Sequence, residues 1–270
     1  MIKKFLVIPL LFIFPSFIFA DNFDFQRAFS DYFYNFNLYR QTHQEYISAK
    51  ESYLRYKTLT SKNTALEKTL KMTQARDETA RTYLIALKMK TEETPGISSY
   101  EKNILTFKLD NEIDWYSKHK EELSSAATLE DLVDLAKKAG ERYQSQTEIL
   151  IYQALYKILV GKEIALKEKI SFQIEAIKEK LKEIKENGNK DTSLPERWLL
   201  EVENRLIRFE EKISASQNNM ARMEGGIYSD KTQIYRESQL SLEEAHQYLK
   251  EASRYLKEII REVKTGDGNY

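Results

Sequence analysis

Cysteine is absent from all 270 residues. A disulfide scaffold, a cysteine-ligated zinc or iron–sulfur site and a thiol nucleophile are therefore excluded. Histidine is nearly absent as well. With three in the chain, a histidine-rich metal site lacks donors. There is no excess charge of either sign: 42 Lys and Arg stand against 42 Asp and Glu. A broad nucleic-acid-binding surface needs a basic surplus, so no nucleic-acid partner is expected. Strand-like alternation, internal repeats, phosphate loops and Ser–His–Asp groupings are missing too.

Proline is scarce, with four in the chain. Two of them, Pro9 and Pro15, fall in an N-terminal stretch with its own character. Lys3 and Lys4 form a positive patch, Phe5 to Phe14 is apolar apart from Pro9, and Ala20 is a small residue before Asp21 and Asn22. This is the three-part pattern of a secretory signal peptide over residues 1–20, cleaved after Ala20. The run from Phe5 to Ala20 is 16 residues long, short of the roughly 20 that a spanning helix needs. The pattern predicts an exported protein (periplasmic, cell-surface or extracellular) beginning at Asp21. Membrane contact is then restricted to an uncleaved N-terminus or to the aromatic stretch that follows.

Beyond residue 20 only Pro95 and Pro195 remain, and both sit in obvious punctuation: Thr94-Pro95-Gly96, and Asn187-Gly188 through Pro195. A proline inside a helix costs about 3 kcal/mol, so its absence elsewhere permits long helices. Ser98 with Glu101 and Ser193 with Glu196 have capping-box spacing. A softer joint is Ser124–Thr128. These signals predict helical segments over roughly 23–94, 99–124, 129–186 and 194–263, with Thr58–Asn63 and Gly225-Gly226 as weak points. We read residues 124–128 as a kink that makes the second and third segments one return strand. Residues 265–270 are expected to be a flexible tail.

Apolar residues recur every 3.5 positions. Tyr56, Leu59, Asn63, Leu66, Leu70, Thr73, Asp77, Ala80, Leu84 and Leu87 alternate steps of three and four. Val202 to Ile227 and Leu242 to Val263 do the same, joined by a four-four step at Ile234, Ser238 and Leu242. Such seams belong to helices zipped side by side. Residues 149–160 are apolar nearly all round, which marks the element with most partners. The fold class expected is all-α: an elongated antiparallel helical bundle or coiled coil of three to four long helices, forming one unit over 21–264.

Few residues invite chemistry. Asn63 and Asp77 interrupt the first seam, where one polar residue sets register at a cost in stability. His43 and His119 read as amphipathic rings beside a seam. Glu243-Glu244-Ala245-His246 has Glu-x-x-His spacing, but the paired motif of a di-iron bundle is not repeated, so a solvated helix face is the simpler reading. The 162–186 run has seven Lys and six Glu, whose charges cancel along a wet face. The least ordinary feature is aromatic: eight of the 17 residues from Phe23 to Tyr39 are Phe or Tyr. Candidate interaction residues are Phe25, Phe29, Tyr32, Phe33, Tyr34 and Phe36. The reading that follows is an exported noncatalytic rod, with no catalytic residue, metal or cofactor. It would act as a spacer, scaffold or protein-interaction module at the cell envelope, through protein partners or self-association along helical faces. The alternative is a ligand- or lipid-binding bundle using the aromatic end.

Overall fold

The structure is a computed structural model that describes residues 23–188, 191–224 and 230–265. The predicted signal segment and nearly all of the predicted tail lie outside the described residues. Among the described residues every regular element is helical. In chain order they are α1 (Phe23–Tyr56), α2 (Leu59–Glu93), α3 (Ser99–Ser124), α4 (Leu129–Arg142), a π-turn (Tyr143–Thr147), α5 (Glu148–Glu186), α6 (Ser193–Glu224) and α7 (Lys231–Thr265).

The expected 23–94 segment is two helices folded back on each other. The Tyr32 ring of α1 packs at a tilt against Tyr83 of α2, Thr79 donates to the Asn35 carbonyl, and Lys68 pairs with Glu45. As one number rises the other falls, so the pair is antiparallel. The turn needs neither glycine nor proline. Lys57 takes the left-handed conformation at φ 48°, and Thr58 starts α2 through a reciprocal capping box with Ser61. The side chains of that short cap satisfy the free N–H groups, so a polar pair suffices to end one helix and begin the next.

Residues 124–128 also form a hairpin rather than a kink. Thr128 caps α4 with Asp131, and Glu122–Lys138 and Glu112–Arg142 pairs run antiparallel. Residues 129–186 then keep helical backbone through the π-turn. The 194–263 segment likewise folds back. Ser216 of α6 donates to the Ser238 carbonyl of α7 at 2.9 Å, both side chains fully buried. That contact sits at the four-four step in the seam, where small residues bring two backbones together. Among the described residues there are therefore six continuous helical segments, the π-turn dividing one of them into α4 and α5.

Two packing groups share α5. In one, α2 is flanked by α1, α3, α4 and the start of α5. In the other, α5 runs antiparallel to α6 through Lys178–Glu203 and Lys185–Glu196, and parallel to α7 through Lys231–Glu148 and His246–Glu163. The largely apolar 149–160 stretch lies where the two groups meet, packed against α2, α3 and α7. Lys and Glu of the 162–186 run bridge to α6, though exposed pairs of this kind add only about 0–1 kcal/mol each.

The tip of the α2–α3 hairpin is seated on α5 by two glycines. Gly96 is left-handed at φ 75°, and a methyl group there would collide with the Gly161 carbonyl. A methyl on Gly161 would strike Ile97 and the Pro95 carbonyl. Gly96→Ala and Gly161→Ala should each destabilise the chain by on the order of 2–4 kcal/mol, measured by urea unfolding followed by circular dichroism.

Candidate functional site

Aromatic rings form a ladder along α1. Phe25–Phe29, Phe29–Tyr32 and Tyr32–Phe36 centroids are 5.8, 5.9 and 6.0 Å apart. Steps of four and three place these side chains on one helix face. The ladder is tied to α2 at three levels. Tyr32 is buried 4.9 Å from the Tyr83 ring. The Lys90 ammonium sits 4.4 Å from the Phe25 centroid. The Phe25 amide donates to Glu93. Phe33 and Tyr34 stand apart from the ladder, 57% and 69% exposed, and Phe29 is 38% exposed. The extensive packing of α1 is against α2 alone, so much of its aromatic surface faces solvent. Two open hollows are separate from the ladder: about 300 Å³ beside Asp24, Arg27 and Arg81, between α1 and α2, and about 520 Å³ beside Pro95 and Phe172.

The second concentration of unusual residues is buried. Asp77 of α2 and His119 of α3 are 0% and 1% exposed, and their Oδ2 and Nδ1 atoms are 2.5 Å apart. Arg76 donates twice to the other oxygen of Asp77 and once to the Ala136 carbonyl of α4. Nε2 of His119 faces the Leu135 carbonyl at 3.1 Å, and the imidazole stacks on Trp115 at 4.8 Å. Both ring nitrogens are thus occupied, and no face of the imidazole is left for a substrate. Three helices are joined at one sealed point.

Two turns back along α3, Glu112 repeats the device. It is buried, accepts three contacts from Arg142 at 2.6–3.2 Å, and accepts the Thr147 hydroxyl at 2.5 Å. Thr147 also shares a hydrogen bond with Tyr116, and the Arg142 guanidinium lies 5.3 Å from the Trp115 ring. Arg142 and Thr147 bracket the π-turn. In an α-helix two residues five apart diverge by about 140°. The extra residue in the π-turn returns them to one face, where a single carboxylate holds both.

Tyrosines gather where α1, α2, the π-turn, α5 and α7 approach. Burial raises the pKa of Tyr83, and the neighbouring Tyr32, Tyr235, Tyr143 and Tyr152 raise it further. Burial pushes Tyr143 up to about 12, and it raises Tyr116 and Tyr235 in the same direction.

Of the residues singled out in the sequence, Phe25, Phe29, Tyr32 and Phe36 are brought together. Asn63 is exposed, at the edge of the seam rather than inside it. Asp77 is buried, and paired. His119 is not a ring at a wet edge but the partner of Asp77. His246 does not lie on a free face; it bonds Glu163 at 3.0 Å. Glu112, Arg142 and the π-turn carry no sequence signal that would separate them from ordinary helical charges. Among the described residues, no group of three or more His, Asp or Glu could hold a metal ion, and no helix is long and apolar enough to cross a membrane. Compared with known proteins, the chain matches no family model, no curated protein and no solved structure.

Removing one member of a buried pair strands the other. Asp77→Ala should cost about 3–5 kcal/mol, while the Asp77→Leu/His119→Leu double variant should lose far less than the sum of its singles in a double-mutant cycle. The tyrosines set an alkaline limit. Below about pH 10 they are protonated in both folded and unfolded chains. Above it the unfolded chain ionises first, so stability falls as pH rises toward the raised folded values. Alkaline titration should show loss of helical circular dichroism coinciding with cooperative appearance of tyrosinate absorbance between about pH 10 and 12.

Proposed function

We propose that this protein is an exported, noncatalytic helical scaffold that meets other protein chains at the cell envelope through exposed helix faces. Export rests on the signal-like pattern of residues 1–20. The scaffold in this reading is an elongated antiparallel helical bundle. The 39 residues of α5 supply its long strut of about 58 Å.

The observation that carries the reading is the outer surface of α1. Phe29, Phe33, Tyr34 and Leu38 are exposed on a helix whose packing is spent on α2. Large aromatic side chains held on a rigid helix are effective anchors for a partner chain, since they bury area with little loss of rotamer freedom. The buried carboxylates and imidazole, by contrast, are used up in joining helices. The partly exposed ring ladder equally suits an apolar ligand or lipid acyl chain, which is the second reading.

Cross-linking followed by pull-down from the native envelope separates the two. The mature chain, expected to begin at Asp21 by N-terminal sequencing, should retain a discrete protein. The Phe33→Ser/Tyr34→Ser variant, with unchanged helical circular dichroism, should lose it at least about tenfold. Equal recovery by the variant would remove α1 from the interaction. Cosedimentation of the mature chain with lipid vesicles, lost in the same variant, would favour the second reading.

A further inference from the structure

We propose that α4 is a strap that opens as a unit by unwinding, while α2, α3 and α5 stay packed. Its apolar hold is slight. Of its 14 residues only Leu132 and Ala139 are buried, and Val133 is 61% exposed. Leu129, Leu135 and Ala136 are half-buried beside them, and its other attachments are polar. His119 donates to the Leu135 carbonyl, Arg76 to the Ala136 carbonyl, Lys138 pairs with Glu122, and Arg142 with Glu112. Segments with few buried apolar contacts exchange first.

Both ends are built to yield. The N-terminal end follows the non-helical residues 126–128. The C-terminal end has Gly140, where a side chain would meet nothing within 4 Å, followed by the π-turn. Glycine in a helix interior favours the unwound chain.

The polar network divides cleanly at the strap. When α4 leaves, Asp77 keeps both Arg76 and His119, because all three belong to α2 and α3. Glu112 keeps Thr147, which keeps Tyr116, so α5 stays seated on α3. What α4 gives up is Nε2 of His119, one donor of Arg76 and the Arg142 contacts, and water replaces each of these. Asp77 keeps its charged partner, and Glu112, which gives up Arg142, keeps the Thr147 hydroxyl and gains the water that enters as α4 departs, so no charge stays sealed off without a partner.

Hydrogen exchange of the full chain, read by mass spectrometry, tests this. Amides of residues 130–142 should exchange together, about tenfold or more faster than those of 105–123 and 150–160. Gly140→Ala should slow the 130–142 amides about two- to fivefold and leave α6 and α7 unchanged. The absence of other cysteines allows a clean lock: Glu122→Cys/Lys138→Cys, joined by a short bismaleimide, should bring α4 down to the rate of α3. Exchange of α4 in step with α2 and α3 in the unmodified chain would overturn the proposal. So would an α4 rate unmoved by Gly140→Ala.

Discussion

A helix without an exposed residue cannot leave its polar groups to water, and α2 is such a helix from Met72 to Thr91. Its buried face carries Thr69, Thr73, Thr79, Thr82 and Thr91 together with Asp77. The threonines solve the problem locally. Each hydroxyl donates to the carbonyl four residues back, at 2.6–2.9 Å, so that the methyl group is what meets the neighbouring helix. Asp77 has no such local answer, and its partners come from α2 and α3 at once. The relative placement of α2 and α3 depends on satisfying that carboxylate, because a buried charge without a partner costs several kcal/mol.

The same constraint accounts for the π-turn. Glu112 is buried on α3 and must be neutralised by what passes over it. The passing chain offers Arg142 and Thr147, which an ordinary helix would aim in different directions. One extra residue aims them together. The irregular backbone is therefore a consequence of where one carboxylate sits, and it allows α4 and α5 to face different neighbours: α4 bonds α2 and α3 through backbone carbonyls, while α5 buries Leu150, Ala154 and Ile158. The contrast with α1 is plain. That helix meets α2 with an aromatic edge and leaves the rest of its rings outside, so it contributes surface where α2 contributes cohesion.

Legibility differed by element. The joints at Pro95 and Pro195 were plain, because proline and a capping box act over a few residues. The turns at Lys57 and Ser124 were visible only as soft spots. Their caps, Thr58 with Ser61 and Thr128 with Asp131, use residues that also occur inside helices, and whether they end one depends on whether the next helix finds a partner by folding back. The aromatic ladder could be read from spacing, since four-three steps place rings on one face of any helix. The Asp77–His119 contact could not. The two residues are 42 apart in sequence, and their meeting depends on the length of the α2–α3 hairpin and on its register.

The amino-acid sequence alone determined that this chain is helical, where its strongest breaks lie, and which faces are apolar, because propensity, capping and periodicity are properties of a few neighbouring residues. Tertiary structure alone decided which segments turn back, that Asn63 stays in water while Asp77 goes inside, and that Glu112 captures both sides of a π-turn. Burial is conferred by the elements that arrive around a residue, and those elements come from distant parts of the chain.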